Sequence, residues 1–212
     1  MLFRSRTAFG STWPLVTKSD GTKFGKTADG AVWLSADRTS PYQFRQFWMQ
    51  MADADVVKYL PQFSLASLDE TNALIAEHNA DPGKRVAQRV LAQEMTALVH
   101  GTAAAANAEA AADILFGGDP TAASLEALLV VAGEVPTTDV SRHELDDTFG
   151  LLARAQVVAS TSEARRTIDQ KGLRVNGSVL EKDETLAGKG LLHDRYVLVR
   201  KGKTAYHLFR VA

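Results

Sequence analysis

The chain has 212 residues, 45% of them hydrophobic and 23% charged, no cysteine, and a net charge of −1. That is material for one large domain or two small ones, and it excludes disulfides and thiolate metal sites. No run approaches the roughly 18 consecutive apolar residues of a membrane-spanning helix, and no apolar stretch of the secretory kind follows the basic opening MLFRSRTAFG, so a cytoplasmic protein is expected. The small net charge conceals an asymmetry. From Gly150 onward 12 Lys and Arg face 6 Asp and Glu, giving +6, whereas the rest of the chain is −7. A basic block on an acidic body points to a nucleic-acid partner, with a merely solvated lysine-rich surface as the alternative.

In chain order, residues 1–38 are rich in Gly, Thr, Ser and Asp, with short apolar runs at 13–16 and 31–34 that read as strands around a polar loop. Residues 39–118 read as helices. Ser40-Pro41 is a start signal, and Phe44, Phe47, Trp48 and Met51 then recur at helical spacing, a set that reads as core rather than as a base-stacking platform. A second helix spans about 67–78. A third follows Asp81-Pro82-Gly83, with Val86, Val90, Leu91, Leu98 and Val99 on one side and Gly101 at its end. The alanine-rich segment 102–116 is a fourth, stopped by Gly117-Gly118-Asp119-Pro120. Residues 119–147 read as a linker with a short apolar helix.

The last block, 148–212, reads as a small α+β domain. It holds a helix over 149–158 and a second opened by Ser160 and Glu163 as a capping box. Gly172 follows as the residue after the helix end. Asn176-Gly177 marks one hairpin, and Lys201-Gly202-Lys203 joins the strands of another. The expected fold class is therefore a mainly α N-terminal helical domain followed by a small α+β domain.

The sharpest local chemistry is Ser19-Asp20-Gly21-Thr22-Lys23-Phe24-Gly25-Lys26-Thr27. A phosphate-cradling P-loop needs four residues between its first glycine and the Gly-Lys pair, and a helix directly after it. Here only three intervene, and Ala28-Asp29-Gly30 is a turn. Two lysines three apart on a glycine-rich loop suit a different role, in which they close onto negative charge that develops during phosphoryl transfer. A plain solvated Lys/Gly loop is the alternative that spacing leaves open.

Lys23-Phe24-Gly25-Lys26-Thr27 resembles the lysine-rich signature loop of the class I aminoacyl-tRNA synthetases in its tyrosyl-tRNA synthetase form. The flanking Pro14-Leu15-Val16-Thr17-Lys18-Ser19-Asp20-Gly21, Val32-Trp33-Leu34, Thr39-Ser40-Pro41-Tyr42, Gln46-Phe47-Trp48, Gln93-Glu94-Met95-Thr96 and Leu98-Val99-His100-Gly101 are similar to that family in the same order. The resemblance runs from about Phe9 to the end and implies the C-terminal half of a bacterial tyrosyl-tRNA synthetase. It implies that Lys26 contacts ATP, entering with Mg, and that Lys23 and Thr27 assist. It further implies that tyrosine and tRNA(Tyr) are partners and that the full-length enzyme is a homodimer. On that reading 1–38 is a remnant of the nucleotide-binding α/β domain and 39–118 is a helical domain of the anticodon-binding type. The family's His-rich signature and tyrosine pocket are absent from these 212 residues, so the chain by itself is expected to be inactive.

The segment running from Ala159-Ser160-Thr161-Ser162-Glu163-Ala164-Arg165-Arg166 to Lys171-Gly172-Leu173-Arg174-Val175-Asn176-Gly177 resembles the αL RNA-binding domain. That domain is shared by a small-subunit ribosomal protein, pseudouridine synthases and bacterial tyrosyl-tRNA synthetases. Arg165, Arg166, Lys171, Arg174 and Lys182 are the expected RNA-binding cations, tracking a phosphate backbone. One of the two adjacent arginines has an alternative use, pairing Glu163 or Asp169. Arg154 is a weaker candidate, and Arg200, Lys201 and Lys203 are expected to decorate a solvated hairpin. The five histidines show no metal-ligand spacing. A stand-alone, non-catalytic RNA-binding protein is the alternative function.

Overall fold

The computed structural model describes residues 9–12, 15–24, 26–27 and 30–212. The side chains of Lys26 and Thr27 lie outside the described residues, as does the first half of the strand expected at 13–16. Two short strands, β1 (Lys26–Thr27) and β2 (Gly30–Ala31), pair antiparallel. Only Ala31 of the run expected as a strand at 31–34 belongs to one.

Ser40 starts the helical body. Its hydroxyl accepts from the Gln43 N–H at 3.1 Å, and Pro41 needs no intrahelical donor at the first position of α1 (Pro41–Met49). Phe44 and Trp48 are buried core, as expected. No expected helix corresponds to α2 (Asp53–Phe63), which has no side-chain cap and carries Pro61 in its last turn. A proline there removes one backbone donor only where the helix is already ending. A full capping box between Ser67 and Glu70 opens α3 (Leu68–Ala80).

α4 (Val86–His100) buries the expected face only in part, since Leu91 is inside and Val99 packs against the core. Val90 and Leu98 are exposed, and Ala87, Gln88, Leu91, Ala92, Met95 and Thr96 are inside. α1 and α5 (Thr102–Leu115) pack against this face, so small side chains are needed there. Gln88 is admitted because its amide donates to Met51 O at 3.3 Å and Asp53 Oδ1 at 2.8 Å.

Residues 119–147, expected as a linker, are part of the C-terminal body. They hold α6 (Leu125–Glu134) and β3 (Thr137–Val140). β3 runs parallel to β7 (Ala205–Val211), with Asp139 opposite Arg210 and a two-bond ion pair joining their side chains. The sheet order is β3-β7-β6-β4-β5, with β4 (Leu173–Val175), β5 (Ser178–Val179) and β6 (Tyr196–Lys201). Between β3 and β4 come α7 (Thr148–Arg154) and α8 (Thr161–Asp169). α7 is shorter than its expected span, and Gln156 turns the chain at φ 58°.

Both faces of this sheet are covered. Leu173, Val175, Val197, Val199 and Phe209 pack with Leu151, Leu152, Ala164 and Ile168 of α7 and α8. Tyr196, Leu198 and Leu208 pack on the other side with Ala111, Ile114, Leu128 and Val131 of α5 and α6. The architecture is thus mostly helical with a small mixed sheet near the C-terminus.

The Asn176-Gly177 hairpin forms as expected, with φ 49° and 85° matching a two-residue turn of the primed type. Asn176 does more than turn the chain. It is buried, its amide donates to Gly190 O at 3.0 Å, and its carbonyl oxygen accepts from the Leu198 N–H at 2.9 Å. Asn176→Ala combines left-handed strain with two orphaned backbone groups, so a loss of about 2–4 kcal/mol is expected in urea unfolding. A loss under about 0.5 kcal/mol would contradict this role.

Candidate functional site

Residues 16–24 fold back on themselves. Thr17 and Lys23 form an antiparallel bridge. The Lys18 N–H donates to Thr22 O at 2.8 Å, Gly21 N–H to Lys18 O at 3.0 Å, and Phe24 N–H to Val16 O at 3.1 Å. Gly21 has φ 83°, a region in which a side chain would be strained. Asp20 accepts from the Thr22 hydroxyl at 2.6 Å and from its N–H at 2.8 Å. The hydroxyl first and the backbone second hold the Asp20 carboxyl below its ordinary pKa.

Phe24 fastens this loop to the helical body. Its ring centroid lies 4.9 Å from that of Tyr59, 5.3 Å from Phe63, 5.6 Å from Phe47 and 5.7 Å from Trp48. Lys58 Nζ donates to Thr17 O at 2.6 Å, and the Ser19 N–H donates to Asp55 Oδ1. The base of the loop is therefore held by α1 and α2 while Lys23 stays exposed. The backbone of Lys26 follows directly in β1. A fixed base with an exposed ammonium is an arrangement able to meet a phosphate without reorganising the rest of the loop.

Phe24→Ala is expected to speed tryptic cleavage after Lys18 and Lys23 several-fold, while cleavage in the C-terminal body stays at the wild-type rate. Limited proteolysis read by mass spectrometry checks this, and an unchanged rate at both lysines would show that the ring does not hold the loop.

The five cations expected to face RNA do not form one patch. Arg165 and Arg166 are exposed on α8, the Arg165 guanidinium 5.1 Å from the Phe149 ring centroid. Neither takes the alternative partners. Glu163 pairs with Lys201 at 2.7 Å, and Asp169 with Lys182 at 3.5 Å. Glu163 also accepts from the Ala159 N–H rather than from that of Ser160, so the expected capping box is only half made.

Lys171, not Gly172, takes the left-handed position after α8, with φ 54°. The Gly172 N–H donates to Thr167 O and the Lys171 N–H to Ile168 O, both at 2.8 Å, a Schellman ending. Gly172 is needed for space instead, because a Cβ would lie 2.9 Å from Thr167 Cγ2. Lys171 pairs with Glu181 at 3.7 Å, so it and Lys182 tie the loop after β5 to the end of α8. Both lysines are largely exposed. Such pairs contribute about 0–1 kcal/mol and leave the ammonium groups free to exchange partners.

Arg174 stands apart. Leu173 and Val175 face α7 and α8, so the alternation of β4 turns Arg174 to the opposite face, beside its cross-strand neighbour Arg200. There it donates to Gly177 O at 3.0 Å and lines a crevice with Gly117, Pro120 and Tyr206. Of the cations expected to be solvated, Lys201 is instead engaged with Glu163 and Val157 O. Arg154 is held by Glu144 at 3.1 Å and Asp147 at 3.6 Å. A further set that no motif signals, Arg45, Arg85 and Arg89, lines a cleft in the helical body.

Residues 3–117 match the family described as tRNA synthetases class I (W and Y), and residues 128–209 match the tyrosine–tRNA ligase SYY-like C-terminal domain. The chain is 47% identical over 206 residues to a tyrosine–tRNA ligase of Anaeromyxobacter dehalogenans (strain 2CP-C), covering 95% of this chain and 49% of the relative. It is 41% identical over 209 residues to one of Opitutus terrae, covering 96% and 49%. The chain thus spans about half the length of the curated relatives it matches. Among solved structures it is similar to a C-terminally truncated mitochondrial tyrosyl-tRNA synthetase of Coccidioides posadasii, 41% identical over 46% of this chain and 25% of that one, at a TM-score of 0.40. The chain belongs to the tyrosyl-tRNA synthetase family of the class I tRNA synthetases.

Proposed function

We propose that this chain supplies the ATP-contacting lysine loop and the tRNA-binding surfaces of a tyrosine–tRNA ligase. That enzyme joins tyrosine to ATP as tyrosyl-adenylate and passes the tyrosyl group to the end of tRNA(Tyr). The observation that carries this reading is that two domains of one family match in sequence order, 3–117 and then 128–209. The lysine loop lies at the start of the first. On this reading residues 1–38 close the nucleotide-binding domain, 39–118 form the helical domain of the anticodon-binding type, and the αL-type domain follows. The whole enzyme works in the cytoplasm as a homodimer.

In the activation step a tyrosine carboxylate oxygen bonds to the α-phosphorus while the bond to pyrophosphate breaks. Negative charge grows on the transferring phosphoryl oxygens and on the departing pyrophosphate. ATP enters with its Mg ion. Lys26, with Lys23 and Thr27 beside it, meets the growing charge, and so contributes most in the transition state. Arg165, Arg166, Lys171 and Lys182 contact the phosphate backbone of tRNA(Tyr). Arg174, on the other face of the sheet, is left out of that surface.

In the ligase that carries this chain together with a nucleotide-binding domain, Lys26→Ala is expected to slow tyrosine-dependent ATP–pyrophosphate exchange by about 100-fold or more. Tyrosine affinity should stay within about threefold. Equal losses in both would make Lys26 a bystander. The 212 residues alone are expected to show background exchange only, and exchange that depends on Lys26 in this chain alone would contradict the proposed division of labour.

A further inference from the structure

Between the base of the loop that carries Lys23 and the corner joining α1 to α2 lies a cavity of about 320 Å³. That is at the small end of the range for ligand pockets. Phe24, Phe47 and Tyr59 give it an aromatic wall, and Asp20 and Asp55 place two carboxylates on it. The phosphoryl chemistry proposed above uses neither carboxylate.

Two groups on this wall are buried without the partners their chemistry calls for. Asp55 is 6% exposed, yet among the described residues no cation pairs with its carboxylate, which accepts only the Ser19 N–H. Lys58, one helical turn on, is engaged with Thr17 O at 2.6 Å. Lys18 acts on Asp20, whose carboxyl the Thr22 bonds already hold below its ordinary pKa. A buried carboxylate with one neutral donor gives up hydration that nothing on the protein replaces. Tyr59 is 1% exposed, and its hydroxyl has no partner either. Burial first, then the Asp55 and Asp20 carboxylates, hold that hydroxyl above its ordinary pKa, so it stays protonated. Both carboxylates line the cavity, which puts the hydroxyl on the cavity side of its ring.

We infer that this cavity binds a small organic amine, a primary ammonium carried on an aromatic body. An ammonium brings three donors and no acceptor. Asp55, Asp20 and the oxygen of Tyr59 are three acceptors on one wall. The rings of Phe24 and Phe47 attract the cation and cover its carbon body. An anion would meet two carboxylates there, and a neutral apolar molecule would leave Asp55 uncompensated. The bound amine touches the loop through Asp20 and Phe24 and the helices through Asp55 and Tyr59. It therefore ties the loop to the helical body, and the site controls how freely the loop opens. This inference goes beyond the proposed function and does not depend on the RNA surfaces.

The test is calorimetric titration of the whole chain with phenethylammonium. Its counterpart is 3-phenylpropionate, which keeps the ring and replaces the ammonium by a carboxylate. Saturable binding of the amine is expected, with the acid at least about tenfold weaker. Asp55→Asn removes the charge but keeps an acceptor for the Ser19 N–H, and it should weaken the amine by at least about tenfold. Tyr59→Phe should weaken it several-fold. Both variants should keep the wild-type circular dichroism. Saturating amine should slow tryptic cleavage after Lys18 and Lys23 several-fold in the wild type and not in Asp55→Asn, while cleavage in the C-terminal body of the same sample is unchanged. The inference is overturned if the amine gives no saturable heat, if the acid binds as well, or if folded Asp55→Asn binds like the wild type. Should Asp55→Asn unfold, wild-type affinity in Tyr59→Phe overturns it instead. It is overturned too if the bound amine leaves cleavage at both lysines unchanged, or if the ligase that carries this chain with its nucleotide-binding domain does not bind it. Each of these failures leaves the proposed function standing, since that reading is tested on Lys26 and on tRNA.

Discussion

β6 is buried on both faces, and the sides of the sheet on which Arg174, Arg200 and Lys201 stand follow from that. Val197 and Val199 point into the core shared with α7 and α8, while Tyr196 and Leu198 point into the core shared with α5 and α6. A one-residue slip of this strand would exchange the two sets and misplace both cores. Leu198 is also the residue whose N–H and C=O are both taken by Asn176, so the hairpin that ends β4 keeps the register of β6. Each large side chain in these cores is worth about 1.5–3 kcal/mol of burial. Separating the sheet from α5 and α6 would expose Tyr196, Leu198 and Leu208 together.

The same alternation sorts the charges. Cations on the face toward α5 and α6, Arg174 and Arg200, become crevice and junction residues, with the Tyr206 hydroxyl donating to Ile114 O at 3.0 Å beside them. Lys201, one residue on, turns the other way and is taken by Glu163. Left for solvent are Arg165 and Arg166 on α8, Lys171 and Lys182 at its exit, and Arg195 and Lys203 away from it. A +6 surplus read from composition is therefore spread over several surfaces rather than one.

Much of this is legible in the chain. Local chemistry that depends on a few adjacent residues reads well, as with the Ser40-Pro41 start, the Asn176-Gly177 turn and the glycine after α4. The lysine loop is found by its resemblance, since spacing alone leaves a plain solvated loop open. What does not read is set by distant partners. Part of the buried face of α4 escapes the apolar pattern because close helix contacts select small residues over large ones, and because Gln88 is buried by bonds to Met51 and Asp53. β3 reads as linker because its four residues carry only one buried apolar side chain, and a parallel partner 71 residues further on, Arg210 opposite Asp139, leaves no local trace. The separation of Arg174 from Lys171 requires the register of β4, which no spacing in the sequence discloses.

The claim that this chain is the RNA-binding part of a tyrosyl-tRNA synthetase is most directly tested by its affinity for tRNA(Tyr) as a function of salt. Wild-type chain should lose affinity steeply between about 50 and 200 mM salt as displaced counterions cease to favour binding. A chain with Arg165, Arg166 and Lys171 all changed to alanine should stay folded by circular dichroism, bind more weakly, and lose about one unit of log–log slope for each phosphate contact removed. A folded triple variant that keeps both the wild-type affinity and the wild-type slope would contradict the assignment of α8 and its exit as the surface that meets RNA.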